Sequence, residues 1–111
     1  GSPLSGGYAS AKQAQRYLCT YARKEVEDRE LGFNVQCILP SLNINTRLGA
    51  TGVRGYAARA GMDMETFARD NLPTGLTPEI AGTEIVKVLV DNTLAATAEF
   101  MLTGDGLTPQ N

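Results

Sequence analysis

GFNVQCILP, residues 32–40, marks the passage from a long helix to a β-strand in this 111-residue chain. Upstream of it, apolar side chains recur at helical spacing from Ala11 to Val26, which predicts one helix over residues 8–30. Gly32 supplies the glycine that commonly ends a helix. Residues 33–39 then predict a strand, and Pro40 ends it because proline has no N–H to donate to a neighbouring strand.

Downstream of Pro40, the sequence predicts a loop, two short helices, a longer helix and a second strand. Asparagines and glycines predict the loop over residues 41–52, and short helices are predicted over 53–60 and 63–71. Thr77 and Pro78 predict the start of a helix that runs to Val90. Residues 100–102 predict a buried strand before a turn at 104–106. Helices that alternate with strands indicate a parallel α/β sheet, although two strands are too few for a stable sheet alone.

The composition excludes several classes of function. A net charge of −2 gives no electrostatic reason to expect nucleic acid or an anionic membrane as a partner. The absence of histidine excludes the Ser-His-Asp and Cys-His hydrolase mechanisms. No apolar run approaches the ~20 residues that span a bilayer. Because the N-terminus also lacks the features of a signal peptide, we expect a cytoplasmic protein.

The two cysteines fall inside the predicted long helix, at Cys19, and inside the predicted first strand, at Cys37. We expect two buried, reduced thiols, with a disulfide between them as the alternative. No metal site is expected, because two thiols without a histidine cannot complete a usual zinc site.

Two residues with complementary chemistry lie at the start of the long helix, in YASAK at residues 8–12. Tyr8 and Lys12 are four residues apart, which places them one turn apart on the same face of a helix. A free phenol ionises near a pKa of about 10, and a nearby positive charge favours its ionised form. The pair is therefore a candidate general acid/base unit. The alternative is an ordinary exposed turn of an amphipathic helix.

The order of these features resembles the C-terminal half of a short-chain dehydrogenase/reductase. The likeness covers nearly the whole chain. It rests on the Tyr-x-x-x-Lys helix, a strand ending in proline, an Ile-x-Thr loop, a Pro-Glu helix start and a last strand that runs into Asp105-Gly106. The resemblance implies an α/β fold: the C-terminal part of a Rossmann-like doubly wound parallel sheet. Residues 1–111 would form one partial domain with a substrate lid at 41–75, and the N-terminal nucleotide-binding half would lie outside this sequence.

The resemblance also implies roles for individual residues. Tyr8 would exchange a proton with a carbonyl or alcohol oxygen, and Lys12 would hold the nicotinamide ribose and favour ionisation of the phenol. Pro40, Ile44 and Thr46 would contact the nicotinamide of NAD or NADP. The match is imperfect, since Ser41 replaces the usual glycine and the Ile-x-Thr pair comes one position late. Thr46 is equally interpretable as a capping or loop residue.

The predicted lid contains apolar side chains that could shape a substrate pocket or simply pack the short helices together. They are Tyr56, Met62, Met64 and Phe67. No G-x-G-x-x-G phosphate loop occurs anywhere in the sequence, so the residues that would distinguish NAD from NADP are not identified.

Two functions follow as hypotheses. In the first, the chain is part of an NAD(P)-dependent oxidoreductase acting on a carbonyl or secondary alcohol, and it has no turnover without a complementing N-terminal half. In the second, it is a non-catalytic module that associates with itself into a homo-oligomer through its helices and an unpaired strand edge. A third possibility, in which the two strands pair with those of a second copy in a different fold, stays open.

Overall fold

The computed structural model describes residues 4–72 and 74–110 as a small α/β domain. The elements in chain order are α1 Gly6–Asp28, β1 Cys37–Pro40, α2 Arg47–Ala60, α3 Met64–Asn71, α4 Pro78–Val90, a 3₁₀ turn at Asn92–Leu94, β2 Glu99–Thr103 and β3 Gly106–Pro109. Among these described residues, no helix combines the length and the apolar character needed to cross a membrane.

The sheet is mixed, with the strands in the order β1-β2-β3. β1 and β2 run parallel, with Cys37 opposite Glu99. β2 and β3 run antiparallel, with Thr103 opposite Gly106. Gly104 and Asp105, which lie between Thr103 and Gly106, form the turn of a β-hairpin. Gly106 has φ = 103°, in the left-handed region that favours glycine.

The expected doubly wound parallel sheet is therefore wrong for this chain. The turn that the sequence indicates at residues 104–106 does not end the sheet; it reverses the chain and adds an antiparallel third strand. The pair Gly104-Asp105 between apolar residues is a signal for such a hairpin. Only the pairing of β1 with β2 is parallel.

The first strand is also shorter than the predicted residues 33–39. It begins at Cys37, which lies opposite Glu99, the first residue of β2. Residues before Cys37 have no partner strand beside them, since β1 pairs only with β2 in the described sheet. Residues 33–36 therefore do not form a strand, although their composition is suitable for one.

Local capping explains where three of the helices begin. The side chains of Thr46, Asp63 and Thr77 each accept a hydrogen bond from a backbone N–H in the first turn of α2, α3 and α4. Gly61 ends α2 in a left-handed conformation, with φ = 68°. The predicted break between the two short helices lies at that glycine.

The buried core is small and lies where α2, the segment before α4, α4 and β2 meet. Its members are Val53, Ala57, Leu76, Val88, Phe100 and Leu102. In β2, burial alternates with the two-residue period of a strand, so Phe100 and Leu102 point to one face. α4 packs against β2 and β3.

The long helix α1 contributes no buried residue to this core. Polar contacts attach it to the sheet instead. Arg16 donates two hydrogen bonds to the carboxylate of Glu99, both at 2.5 Å. Arg23 donates to the backbone carbonyls of Val35 and Ala96 at 3.3 and 2.8 Å. Two arginines therefore link α1 to the rest of the domain, and no side chain of α1 is fully buried.

Candidate functional site

Tyr8 and Lys12 lie together at the N-terminal end of α1, as the four-residue spacing predicts. The Nζ atom of Lys12 is 5.6 Å from the centre of the Tyr8 ring, over its face. In the described part of the chain, no side chain forms a hydrogen bond with the Tyr8 hydroxyl. The phenol therefore has a cation beside its ring and a hydroxyl able to bond to a ligand.

Tyr8 lines a cavity of about 790 Å³, which we call the Tyr8 cavity. The wall is formed by the start of α1, the end of β1, the loop after it, α2 and the start of α4. It includes Leu4, Ser5, Pro40, Ser41, Leu42, Asn43, Thr46, Leu48, Gly49, Thr51, Gly52, Gly55, Tyr56, Leu76, Pro78 and Ala81. The volume lies in the range of small-molecule sites.

The titratable side chains that line this cavity are all phenols among the described residues. The phenols are those of Tyr8 and Tyr56, and among the described residues no carboxylate, lysine or arginine lines the cavity. Proton transfer inside the cavity would therefore have to use a phenol. Lys12 lies over the ring of Tyr8, so Tyr8 is the phenol of this cavity that has a cation beside it.

The cavity brings together some of the residues expected to contact a cofactor and leaves others aside. Pro40 and Thr46 line it with Tyr8. Lys12 does not line it but lies next to Tyr8. Ile44 is half-buried and belongs to neither described cavity. The one-position shift of the Ile-x-Thr pair thus leaves Thr46 at the cavity and Ile44 away from it.

The hydroxyl of Thr46 is already used to build the loop. It donates to the Asn43 carbonyl at 2.9 Å and accepts from the Gly49 N–H at 3.0 Å. Thr46 therefore has the capping role that the sequence left open as its alternative. One acceptor lone pair of a hydroxyl remains after these two bonds. A ligand N–H could use it.

Gly49 is required by this arrangement. A Cβ atom at this position would lie 1.7 Å from the Asn43 carbonyl oxygen, which is far inside contact distance. The sequence shows Gly49 only as a loop glycine. Its role depends on how closely the loop and the first turn of α2 approach each other.

A second cavity of about 530 Å³ lies between α2 and α3, and we call it the Phe67 cavity. It is lined by Leu42, Tyr56, Arg59, Ala60, Phe67, Asn71 and Leu72. The rings of Tyr56 and Phe67 stack with their centres 6.2 Å apart. Of the four lid residues singled out from the sequence, Tyr56 and Phe67 line a cavity, whereas Met62 and Met64 do not.

Sequence reasoning missed Arg59 and Leu76. Arg59 is a charged residue near the end of α2, and only its position beside the Phe67 cavity distinguishes it from other surface arginines. Leu76 is 3% exposed and lines the Tyr8 cavity, although the sequence around it is typical of a loop. Neither position has a local signal, because both depend on the packing of distant elements.

The two cysteines lie away from both cavities. Both are free thiols and half-buried, and they face each other between α1 and β1. Burial raises the pKa of the Cys37 thiol, and the neighbouring Cys19 thiol raises it further. Within residues 4–72 and 74–110, no three Cys, Asp or Glu side chains group together as a metal site would require.

No protein-family model matches this chain, and neither the curated proteins nor the solved structures contain a match.

Proposed function

We propose that this chain provides the proton-transfer and substrate-binding part of an NAD(P)-dependent oxidoreductase that acts on a carbonyl or secondary alcohol. The observation that carries the proposal is the placement of Tyr8 at a cavity of about 790 Å³ with the Lys12 ammonium over its ring. The resemblance to short-chain dehydrogenases/reductases supports it.

The chemistry of this chain in such a reaction is limited to one proton. The Tyr8 hydroxyl would donate its proton to the carbonyl oxygen as that oxygen gains negative charge, and the reverse reaction would return it. The Lys12 ammonium would stabilise the phenolate that remains. A bound nicotinamide supplies or accepts the hydride.

The described residues fit one end of such a cofactor. Pro40 and Thr46 lie in the cavity with Tyr8, and Lys12 is close enough to Tyr8 to contact an attached ribose. Ile44 takes no part. For the pyrophosphate, the sequence offers no glycine-rich loop of the G-x-G-x-x-G type. Only the nicotinamide end is therefore assigned to this chain, and a complementing polypeptide segment would hold the rest.

An NMR titration with half-cofactors tests this division. Reduced nicotinamide mononucleotide should shift the amide signals of Thr46, Ser41 and the first turn of α1 with millimolar affinity, whereas ADP should not. Tight binding of ADP or of the intact dinucleotide would refute the proposal that this chain lacks a site for the pyrophosphate. Unchanged cavity signals at saturating mononucleotide would refute the nicotinamide assignment.

Substitution of Lys12 tests its contact with the ribose. Lys12→Gln should weaken mononucleotide binding, since it removes a charge-assisted hydrogen bond. The matched control is Lys24→Gln, which removes the same charge from an exposed position farther along α1. Equal affinity in both variants would remove Lys12 from the site.

A specific observation also favours the second function, a self-associating module. The chain exposes 7674 Å², whereas a compact monomer of 11.8 kDa exposes about 5,900 Å². Its radius of gyration is 16.1 Å, against about 13 Å for a compact chain of this length. The excess of about 1,800 Å² on one chain is roughly twice the ~800 Å² that a standard protein interface buries on each partner.

Two helical faces account for much of the exposed apolar surface. One lies on α1 and the other on α4, and a second copy of the chain would cover them. The exposed residues are Tyr17, Leu18 and Tyr21 on α1, and Ile85, Val86, Leu89 and Val90 on α4. In the described sheet, β1 also has one unpaired edge.

Sedimentation velocity at micromolar concentration tests self-association. The unsubstituted chain should form a dimer or larger oligomer, and Leu18→Glu should shift it toward monomer by placing a charge on the α1 face. Asn45→Glu adds the same charge at an exposed loop position that lies on neither helical face, and it serves as the control. A monomer for the unsubstituted chain would refute this second function.

A further inference from the structure

The Tyr8 cavity and the Phe67 cavity adjoin each other, because Leu42 and Tyr56 line both. A ligand that occupied both cavities would extend from Tyr8 past Leu42 and Tyr56 to the space between α2 and α3. This arrangement places the candidate proton donor at one end and an open, partly exposed cavity of about 530 Å³ at the other. The substrate of such a site would be elongated.

The wall of the Phe67 cavity is apolar except at one side. Leu42, Ala60, Leu72 and the stacked rings of Tyr56 and Phe67 form the apolar part. Burial of hydrocarbon there gains about 25 cal/mol per Å² removed from water. The stacked rings form a flat wall, which suits a chain or ring of carbon atoms.

The charge of the paired cavities is fixed by a single residue. Arg59 is the one charged side chain that lines either cavity among the described residues. No ion pair within the described chain involves it, and Arg47 and Arg54 share this property but line neither cavity. A guanidinium with no acidic partner at the edge of an apolar cavity is complementary to a carboxylate.

We propose that the site takes an amphiphilic monocarboxylate. Its carboxylate pairs with Arg59, its apolar body occupies the Phe67 cavity, and its carbonyl or hydroxyl carbon lies in the Tyr8 cavity. The substrate class is then an oxo or hydroxy acid whose two functional groups are separated by an apolar stretch. The orientation toward Tyr8 rests on the proposed oxidoreductase function, whereas the pairing with Arg59 does not.

Calorimetric titration of the full chain with octanoate and octanamide tests the pairing. The two probes share their hydrocarbon chain and differ in charge. Octanoate should bind more tightly than octanamide, and its affinity should fall as salt is added, while that of octanamide should not. Equal affinities for the two probes would overturn the proposal.

Variants of Arg59 and Ala60 locate the binding site. Arg59→Gln should lower the affinity for octanoate by up to about fivefold, the range of a solvent-exposed ion pair, and leave octanamide unaffected. Arg54→Gln is the matched control, since Arg54 is an exposed arginine of α2 that lines neither cavity. Ala60→Phe fills the cavity and should abolish binding of both probes, with unchanged circular dichroism as evidence of folding. An octanoate affinity that Arg59→Gln leaves unchanged would overturn the proposal.

Two further variants distinguish binding in the Phe67 cavity from adsorption to an exposed helix face and from binding to the Tyr8 hydroxyl. Val86 lies on the exposed apolar face of α4, and Val86→Asn should not alter octanoate binding. A loss of octanoate affinity in this variant would show adsorption to that face and overturn the proposal. Tyr8→Phe keeps the ring and should also retain octanoate binding. Arg59-dependent binding without mononucleotide binding would refute the oxidoreductase function and leave the carboxylate site standing.

Discussion

At the scale of single residues, Gly49 shows how the candidate site depends on close backbone contact. The Thr46 hydroxyl joins the Asn43 carbonyl to the Gly49 N–H, and this holds the loop against the first turn of α2. The absence of a side chain at Gly49 permits that approach. The shape of the Tyr8 cavity is thus set partly by a residue with no chemistry of its own.

Gly49→Ala should destabilise the chain by about 1–3 kcal/mol, the usual cost of forcing extra atoms into a packed region. The new Cβ would lie 1.7 Å from a backbone oxygen, which cannot move as a flexible side chain would. Urea unfolding followed by circular dichroism measures the change. Gly52→Ala is the control: its Cβ would meet only Leu42 at 3.8 Å, and it should be neutral or stabilising by up to about 1 kcal/mol. Equal stability of the two variants would contradict the expected clash.

Cys37 provides a prediction about pH. Because burial and the Cys19 thiol raise the pKa of Cys37, its alkylation by iodoacetamide should reach half-maximal rate at a higher pH in the folded chain than in urea. The folded state then holds this proton where the unfolded state releases it, so stability should fall as pH rises through the ordinary thiol range. Mass spectrometry of the Cys37 peptide measures the rate. Cys19→Ala should move the midpoint back toward its ordinary value. Identical midpoints in the folded and unfolded chain would contradict the shift.

At the scale of elements, α1 differs from the rest of the chain in how it is held. It has no buried residue, and the contact between Arg16 and Glu99 is its two-bond link to the sheet. Arg16→Lys keeps the charge but cannot form both hydrogen bonds. Amide hydrogen exchange should therefore become faster in α1 and stay unchanged in the hairpin of β2 and β3.

The control for this substitution is Arg29→Lys. Arg29 pairs with Glu25, one helical turn before it, and does not link α1 to the sheet. Its replacement should leave exchange in α1 nearly unchanged apart from the helix end. Equal acceleration of exchange by both variants would show that Arg16 has no docking role.

The elements that the sequence predicts well have local causes, but a local cause is not always recognised: the Thr46 cap starts α2 at Arg47, within the predicted loop at 41–52. Asp63 and Thr77 cap helices with their own side chains, and Gly61 supplies a left-handed residue where a break is expected. The elements that it predicts poorly depend on a partner elsewhere. β1 starts at Cys37 because β2 starts opposite it, and β3 exists because the chain after Thr103 folds back onto β2.

The same division holds for the candidate site. The closeness of Tyr8 and Lys12 follows from helical spacing alone and is found. Which loop residues reach the cavity does not follow, since Thr46 lines it and Ile44 does not. Arg59 enters the site through the packing of α2 on α3, which no pattern within α2 indicates.

At the scale of the whole molecule, the main feature is an excess of exposed surface over a small core. Among residues 4–72 and 74–110, the core holds six buried hydrophobic side chains, whereas the faces of α1 and α4 hold large apolar side chains in solvent. The longest dimension is 52 Å against 28 and 23 Å for the others. Either a complementing segment or a second copy would cover these faces, and the two occupants have different thermodynamic consequences.

If a second copy covers these faces, folding and association are linked, and stability must depend on protein concentration. The urea midpoint of the unsubstituted chain should then rise with protein concentration, because the free energy of unfolding increases by about 1.4 kcal/mol for each tenfold increase in that concentration. Leu18→Glu should remove this dependence, because it places a charge in the covered α1 face, while Asn45→Glu, at an exposed loop position, should retain it. Circular dichroism over a series of protein concentrations measures the midpoints. A midpoint independent of concentration in the unsubstituted chain would exclude a second copy as the occupant of these faces.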